Sequence, residues 1–292
     1  HQQQLGQQLE EAFMDSTVNQ SSSKKSSLLS MRTIGGVLAL GVAIAIVYGY
    51  LTNPNVTTAV LASTLRQSTP LVLGALCGLI GERSGIVNIG IEGQMLMAAF
   101  IGFLANVYTG NLLMAVIAGV GAGGLMGAFL GLMSIGLKMD QIIGGTVINI
   151  LALGLTSFFY QAGLTTQGKL QPLNLGSLAE IPLIGPILFN NPPITYLTLL
   201  LVALVHFVLF HTRWGLRTRV IGEHPSAADT VGINVHVMRY VNVTIAGAIA
   251  GLGGAYLTLE AVGSFERAMT NGRGFVALAV MLFGKRTPLG AW

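Results

Sequence analysis

The 292-residue sequence is 52% hydrophobic and only 9% charged, with a formal net charge of +4; an ordinary soluble domain carries about 25% charged residues. That balance excludes a soluble globular domain, and the thinly spread Lys and Arg lack the aromatic interleaving of a nucleic-acid surface, so no nucleic-acid partner is expected. The 39 glycines point instead to membrane helices that touch lipid and pack closely on one another, since small residues let backbones approach.

Residues 1–32 are polar and rich in Gln and Ser, with too little apolar surface to offset ordering entropy, and a disordered cytoplasmic tail is expected there. A transmembrane domain, 33–292, follows. Uncharged apolar runs near the roughly 20 residues that cross a bilayer occur at 33–51, within 93–137, and at 141–164, 194–210 and 240–259. The 93–137 stretch is too long for one span and breaks at the polar NVYTGN of 106–111, which predicts two helices joined by a turn. Asp140 is placed to cap the helix that starts at 141. Gly119, Gly123, Gly127 and Gly131 recur at four-residue spacing, and Gly247 with Gly251 repeats the pattern; both are expected to be close-packing faces, within one subunit or, as the alternative, at a dimer interface.

Lys and Arg in short loops predict orientation. The 211–239 loop holds Arg213, Arg217, Arg219 and Arg239, whereas the longer, proline-punctuated 165–193 loop has only Lys169. The first is read as cytoplasmic and the second as external. Helix parity then puts 138–140 inside, 106–111 outside and the N-terminus in the cytoplasm.

Between two apolar runs lies GERSGIVNIGIEG, 81–93, with Glu82, Arg83, Asn88 and Glu92 among four glycines. Arg66 and Gln67 leave only 68–80 as continuous apolar sequence, about 20 Å of helix. Residues 57–67 are therefore expected to lie along the outer interface, and 68–80 to enter from outside and break partway, near GERSG. Broken backbone at membrane depth is tolerated where it lines a water-filled path, and ionisable residues there mark transport routes. Asn88, Glu92 and Met95 fall on one face of the following helix by their spacings of four and three. The competing reading is an ordinary cytoplasmic turn, with Glu82 and Arg83 solvated.

No GxxxxGK[ST] occurs; GKRT at 284–287 has Arg where Ser or Thr is required. No Cys/His metal set and no nucleophile–base pair stand at a recognisable spacing, so neither a metal, a catalytic residue nor an enzyme is expected. The fold class is all-α, a polytopic bundle with interrupted helices and about eight membrane segments.

GERSGIVNIGIEGQMLMAAF (81–100), DQIIGGTVINILALGLTSFFY (140–160) and GRGFVALAVMLFGKRTPLGAW (272–292) resemble three blocks of the permease subunits of ABC importers for nucleosides and simple sugars, relatives of ribose and branched-chain amino acid permeases. The resemblance runs from about 33 to 292 and implies further membrane segments beyond 292. It implies a bacterial inner-membrane protein that imports nucleosides or simple sugars, with Glu82, Arg83, Asn88, Glu92 and Asn149 as candidate path residues. The implied partners are an ABC ATPase that uses the ATP, a second permease chain, identical or different, and an extracellular or periplasmic binding protein. AADTVG, 227–232, is similar to the loop through which such permeases contact the ATPase, although Ser226 stands where the usual motif has Glu. Pro225 is placed to start a short helix, Ala227 and Ala228 to seat it in a partner's groove, and Gly232 to end it. The alternative is an ion-coupled secondary transporter with interrupted helices; it accounts for membrane carboxylates but gives no reason for AADTVG between basic flanks.

Overall fold

The computed structural model describes residues 36–37, 40–174, 176, 181–182 and 184–292. The expected tail, 1–32, and the start of the 33–51 run lie outside them. The chain divides into two units, His1–Val60 and Leu61–Trp292. In the first, α1 (Leu40–Thr52) is a short apolar helix.

α2 (Pro54–Arg83) runs 30 residues without interruption, about 45 Å at 1.5 Å per residue. The expected interface helix at 57–67 and short broken segment at 68–80 are thus one element. Pro70 lies inside it, where a proline lacks the N–H that would bond the carbonyl four residues back. That carbonyl, on Arg66, accepts instead from the Tyr256 hydroxyl at 2.6 Å. With its freed oxygen satisfied, the helix continues through the proline. From Thr69 to Gly81 every residue except Leu71 is buried, as expected of a helix that is apolar all round.

α3 (Ile91–Thr109) and α4 (Leu112–Gly131) are the two helices predicted within 93–137. Gly110, left-handed at φ 67°, ends the first, and the Asn111 side chain accepts from the N–H groups of Leu113 and Met114 to start the second. α4 runs on as a π-helical turn, Leu132–Gly136. α5 (Gln141–Phe158) opens with the predicted cap, Asp140 Oδ1 accepting from Ile142 N at 2.8 Å and Ile143 N at 3.2 Å. A two-residue antiparallel pair, β1 (Leu173–Asn174) with β2 (Asn190–Asn191), brackets α6 (Ile184–Leu188). Then come α7 (Pro193–His211), α8 (Arg213–Glu223), α9 (Pro225–Thr230) and α10 (Val235–Ala255), the last extended by a second π-helical turn, Tyr256–Val262. α11 (Arg273–Phe283) and α12 (Pro288–Ala291) complete the described chain.

Among the described residues five helices are long and apolar enough to cross a membrane: α3, α4 with its π turn, α5, α7 and α10 with its π turn. About eight segments were expected. The difference lies in three places: 33–51, of which the described part is the short α1; 57–80, which fuses into α2 with Arg66 and Arg83; and 272–292, which yields the 11-residue α11 and four-residue α12.

The glycine faces meet as predicted. A Cβ on Gly127 would stand 2.6 Å from Val243 O, and one on Gly247 would stand 2.7 Å from Gly127 Cα, so α4 and α10 touch backbone to backbone. Val72, Leu73 and Leu76 of α2, Val202 and Val205 of α7 and Ile249 of α10 form the main buried cluster. Dispersion contacts rather than solvent exclusion hold such faces together in lipid.

Contacts sort the loops into two groups. Arg239 donates to Ser84 O and Ile221 O, and the Gln141 side chain accepts from Val87 N and donates to Gly85 O. Residues 84–87, 141 and 211–239 therefore share one end, here the basic end. Asn106 Oδ1 accepts from Gln167 N, and Gly263 O accepts from Thr166 N, which gathers 106–111, 165–170 and 263 at the other. This alternation is the one that charge and parity predict.

Candidate functional site

α2 ends at the basic end, not partway through the bundle. Glu82 Oε1 pairs with Arg286 Nε at 2.9 Å, and Arg83 donates to Arg286 O and lies over the Phe210 ring. Gly85, at φ 81°, turns the chain beside Arg239 and Gly222.

The next residues leave helical geometry and run alongside α5. Gly90 packs on Ile148, and Gly93 lies against the Ile148 and Asn149 backbone. Asn149 clamps this strip twice: Oδ1 accepts from Gly93 N at 2.7 Å, and Nδ2 donates to Ile89 O at 3.1 Å. Those are groups left orphaned where α3 has only just begun. Asn149 stands near the middle of α5, about 13 Å along it from Asp140. The interruption thus stretches from the basic end to mid-helix depth.

A second interruption meets it there. After Val262 the chain runs irregularly through Gly263–Gly272 before α11 starts. Ala268 (φ 54°), Asn271 (φ 45°) and Gly272 (φ 80°) are left-handed, a conformation costly for Ala. Glu92 seals the start of α11: Oε1 accepts from Gly272 N at 2.8 Å and Oε2 from Gly274 N at 2.6 Å. A carboxylate suits both the free N–H groups and the positive dipole end of a helix. Gly274 permits the contact, because a Cβ there would stand 2.6 Å from Glu92 Cα. Arg273 Nη1 donates to Met269 O at 2.9 Å and helps hold the loop.

Between the two interruptions lies a cavity of about 280 Å³ lined by Glu92, Asn149, Thr270, Asn271 and Gly272, with Leu96, Leu153 and Phe275 as apolar wall. Phe275 and Ile150 are exposed, so one flank of the cavity is open. Among the described residues no group of His, Cys, Asp and Glu is arranged to hold a metal.

Of the five candidate path residues, the cavity brings together Glu92 and Asn149. Glu82 and Arg83 lie at the basic end. Asn88 precedes α3, so the helical spacing that placed it on a face with Glu92 does not apply; it is buried, donating to Gln94 Oε1 at 3.0 Å and to Cys77 Sγ at 3.3 Å. Thr270 and Asn271 were missed, although GSFERAMTNGRG (263–274) shows the same signal as GERSGIVNIGIEG: polar residues and glycines between apolar runs. At the far end of this loop Tyr160 donates to Glu266 Oε2 at 3.1 Å, a hydrogen bond that raises the phenol above its ordinary pKa.

A second cavity of about 280 Å³ opens at the end opposite the basic one, lined by Arg66, Gln67, Lys169, Gln171, Tyr256 and Glu260. Here too a carboxylate caps another helix. Glu260 accepts from Ile194 N at 3.0 Å and from Thr195 Oγ1 at 2.7 Å, at the start of α7.

At the basic end α9 has the predicted form. Pro225 occupies its first turn, and Gly232, at φ 80°, follows its end. The two alanines differ. Ala227 is exposed, whereas Ala228 is fully buried against Ile221 and Met238, so it seats α9 on its own domain and not in a partner. Val231, 72% exposed, adds an apolar surface that the sequence pattern did not single out.

Long apolar helices, two interruptions meeting at depth and a cavity between them define a multi-pass membrane transport protein. Residues 60–292 match the family described as branched-chain amino acid transport system / permease component, and the chain belongs to it. It is 39% identical to the guanosine ABC transporter permease protein NupQ of Bacillus subtilis, over 80% of this chain and 77% of that one. It is 36% identical to the nucleoside ABC transporter permease protein NupC of Lactococcus lactis, over 81% and 78%. It is 36% identical to the putative glucose ABC transporter permease protein TsgC13 of Haloferax volcanii, over 78% and 71%. No solved structure matches the chain.

Proposed function

We propose that this chain is the membrane-spanning subunit of an ATP-driven importer and passes nucleosides, with simple sugars as the second substrate class. The observation that carries the reading is the cavity between the two interruptions, where Asn149 and Asn271 edge an apolar wall of Leu96, Leu153 and Phe275 and the Glu92 charge is already engaged by Gly272 N and Gly274 N. A largely apolar wall edged by a few uncharged polar groups suits a neutral solute that carries a flat ring as well as hydroxyl groups. The names of the nucleoside relatives support the same class.

In this reading the basic end faces the cytoplasm and carries the ATPase contact through Pro225, Ala227, Val231 and Gly232, with Ala228 supporting them from within. ATP is bound and hydrolysed by that separate subunit. A binding protein delivers solute at the opposite end, and a second permease chain, identical or different, closes the open flank of the cavity, where Ile150 and Phe275 are exposed. The Glu92 carboxylate holds the starts of α3 and α11 together beside the path.

Uptake of labelled nucleosides in cells with an active or inactivated partner ATPase tests the proposal. Uptake is expected to vanish with the ATPase. Uptake that persists without it and collapses with the proton or sodium gradient would establish an ion-coupled transporter instead.

A further inference from the structure

An apolar groove of about 290 Å³ lies between α7 and α10, away from the transport cavity. Its walls are Ile80, Leu201, Leu204, Val205 and Ile249, and its floor at the basic end is Trp214. The indole is fixed there: Nε1 donates to Asn242 Oδ1 at 3.0 Å, and the buried Asn242 donates in turn to Thr218 Oγ1 at 3.1 Å. Leu204 is 50% exposed, so the groove opens sideways from helices long and apolar enough to span a membrane.

Beside the floor α8 begins, and its first turn contains no acidic residue. Arg213 and Arg217, four apart and so on one face, are exposed and make no hydrogen bond or ion pair among the described residues. The neighbouring Arg219 and Arg83 are engaged with the Phe210 ring. Two free guanidinium groups therefore stand beside Trp214, on the helix that closes the basic end of the apolar groove, at the level where tryptophan marks a membrane interface.

We propose that this groove binds one acyl chain of an anionic phospholipid whose phosphate is held by Arg213 and Arg217. Charge complementarity selects the headgroup and the apolar walls select the tail. The inference rests on α7 and α10 spanning the membrane and not on which solute is carried, so its failure leaves the transport reading untouched.

Trp214 supplies the probe, since Trp292 is the only other tryptophan of this sequence. The full protein carrying Trp292→Phe is placed in phosphatidylcholine vesicles containing a small fraction of phosphatidylglycerol, with brominated chains on one lipid or the other. Brominated phosphatidylglycerol is expected to quench Trp214 with an apparent affinity roughly tenfold above brominated phosphatidylcholine, a preference that falls with salt. Arg213→Gln with Arg217→Gln should abolish the preference without changing the emission maximum, and Leu204→Trp in a Trp214→Phe background should keep it, reading the same groove from its wall. Equal quenching by the two lipids would overturn the proposal in favour of unselective solvation. Quenching by neither, with Leu204→Cys chains cross-linking to one another, would assign the groove to a second copy.

Discussion

The Glu92 carboxylate, on the first turn of α3, accepts a 2.6 Å hydrogen bond from the N–H of Gly274, 182 residues further along the chain. Its other oxygen takes Gly272 N. One side chain thereby joins the starts of two helices at the depth where the cavity lies.

Glu92→Gln keeps the size of the side chain but offers one acceptor oxygen where two N–H groups need one each. Loss of the second, charge-assisted bond should cost about 1.5–3 kcal/mol. Thermal unfolding of the purified protein should register the loss, and nucleoside uptake should fall at least tenfold with the membrane level of the protein kept. Unchanged uptake would remove Glu92 from the mechanism.

Asn149 serves an N–H with one atom and a carbonyl with another. Asn149→Asp retains the acceptor for Gly93 N and loses the donor to Ile89 O, so its stability should lie between wild type and Asn149→Leu. The leucine variant should lose about 1–3 kcal/mol for each orphaned backbone group. Denaturant unfolding of the three proteins checks the order.

Tyr256→Phe should destabilise by about 1–3 kcal/mol, because the Arg66 carbonyl freed by Pro70 loses its donor. Pro70→Ala restores an N–H for that carbonyl. In the Pro70→Ala background the tyrosine change should therefore cost less than about 0.5 kcal/mol, a coupling that a double-mutant cycle measures. Equal costs in both backgrounds would refute this account of how α2 continues.

At α9, Ala227→Arg should leave the folded permease unaltered and abolish its co-purification with the ATPase, since Ala227 is exposed. Ala228→Leu should act differently: the site is fully buried against Ile221 and Met238, and overpacking there should cost about 1–3 kcal/mol. Gly232→Trp, at φ 80°, should stop uptake while the protein remains in the membrane. Pull-down and uptake assays separate the three.

Gly127→Val would drive a branched side chain into the Val243 carbonyl and the Gly247 backbone. The α4–α10 contact cannot open locally, because it is made by backbone, so the variant should fail to accumulate. Gly121→Val on the same helix, with open space around it, should accumulate normally. Immunoblots of membrane fractions distinguish them.

What could be read in advance was what acts locally. Lipid offers no hydrogen bonds, so a spanning segment must satisfy its backbone within its own helix and show an apolar run of fixed length; α3, α4, α5, α7 and α10 were legible for that reason. Asp140 was legible because a cap acts within three residues of itself.

The sequence by itself determined the membrane class, those helices, the glycine faces and the short Pro225–Thr230 helix with its glycine end. Only the tertiary structure decided that α2 passes through Pro70, that Glu82 and Arg83 sit at an end while Glu92 sits at depth, and that Thr270 and Asn271 join Asn149 around one cavity. Each of those outcomes depends on a hydrogen-bond partner brought from a distant part of the chain, Tyr256 to Arg66 or Gly274 to Glu92. A broken or proline-bearing backbone persists at depth only where such a partner arrives, and arrival is a property of packing that no local pattern encodes.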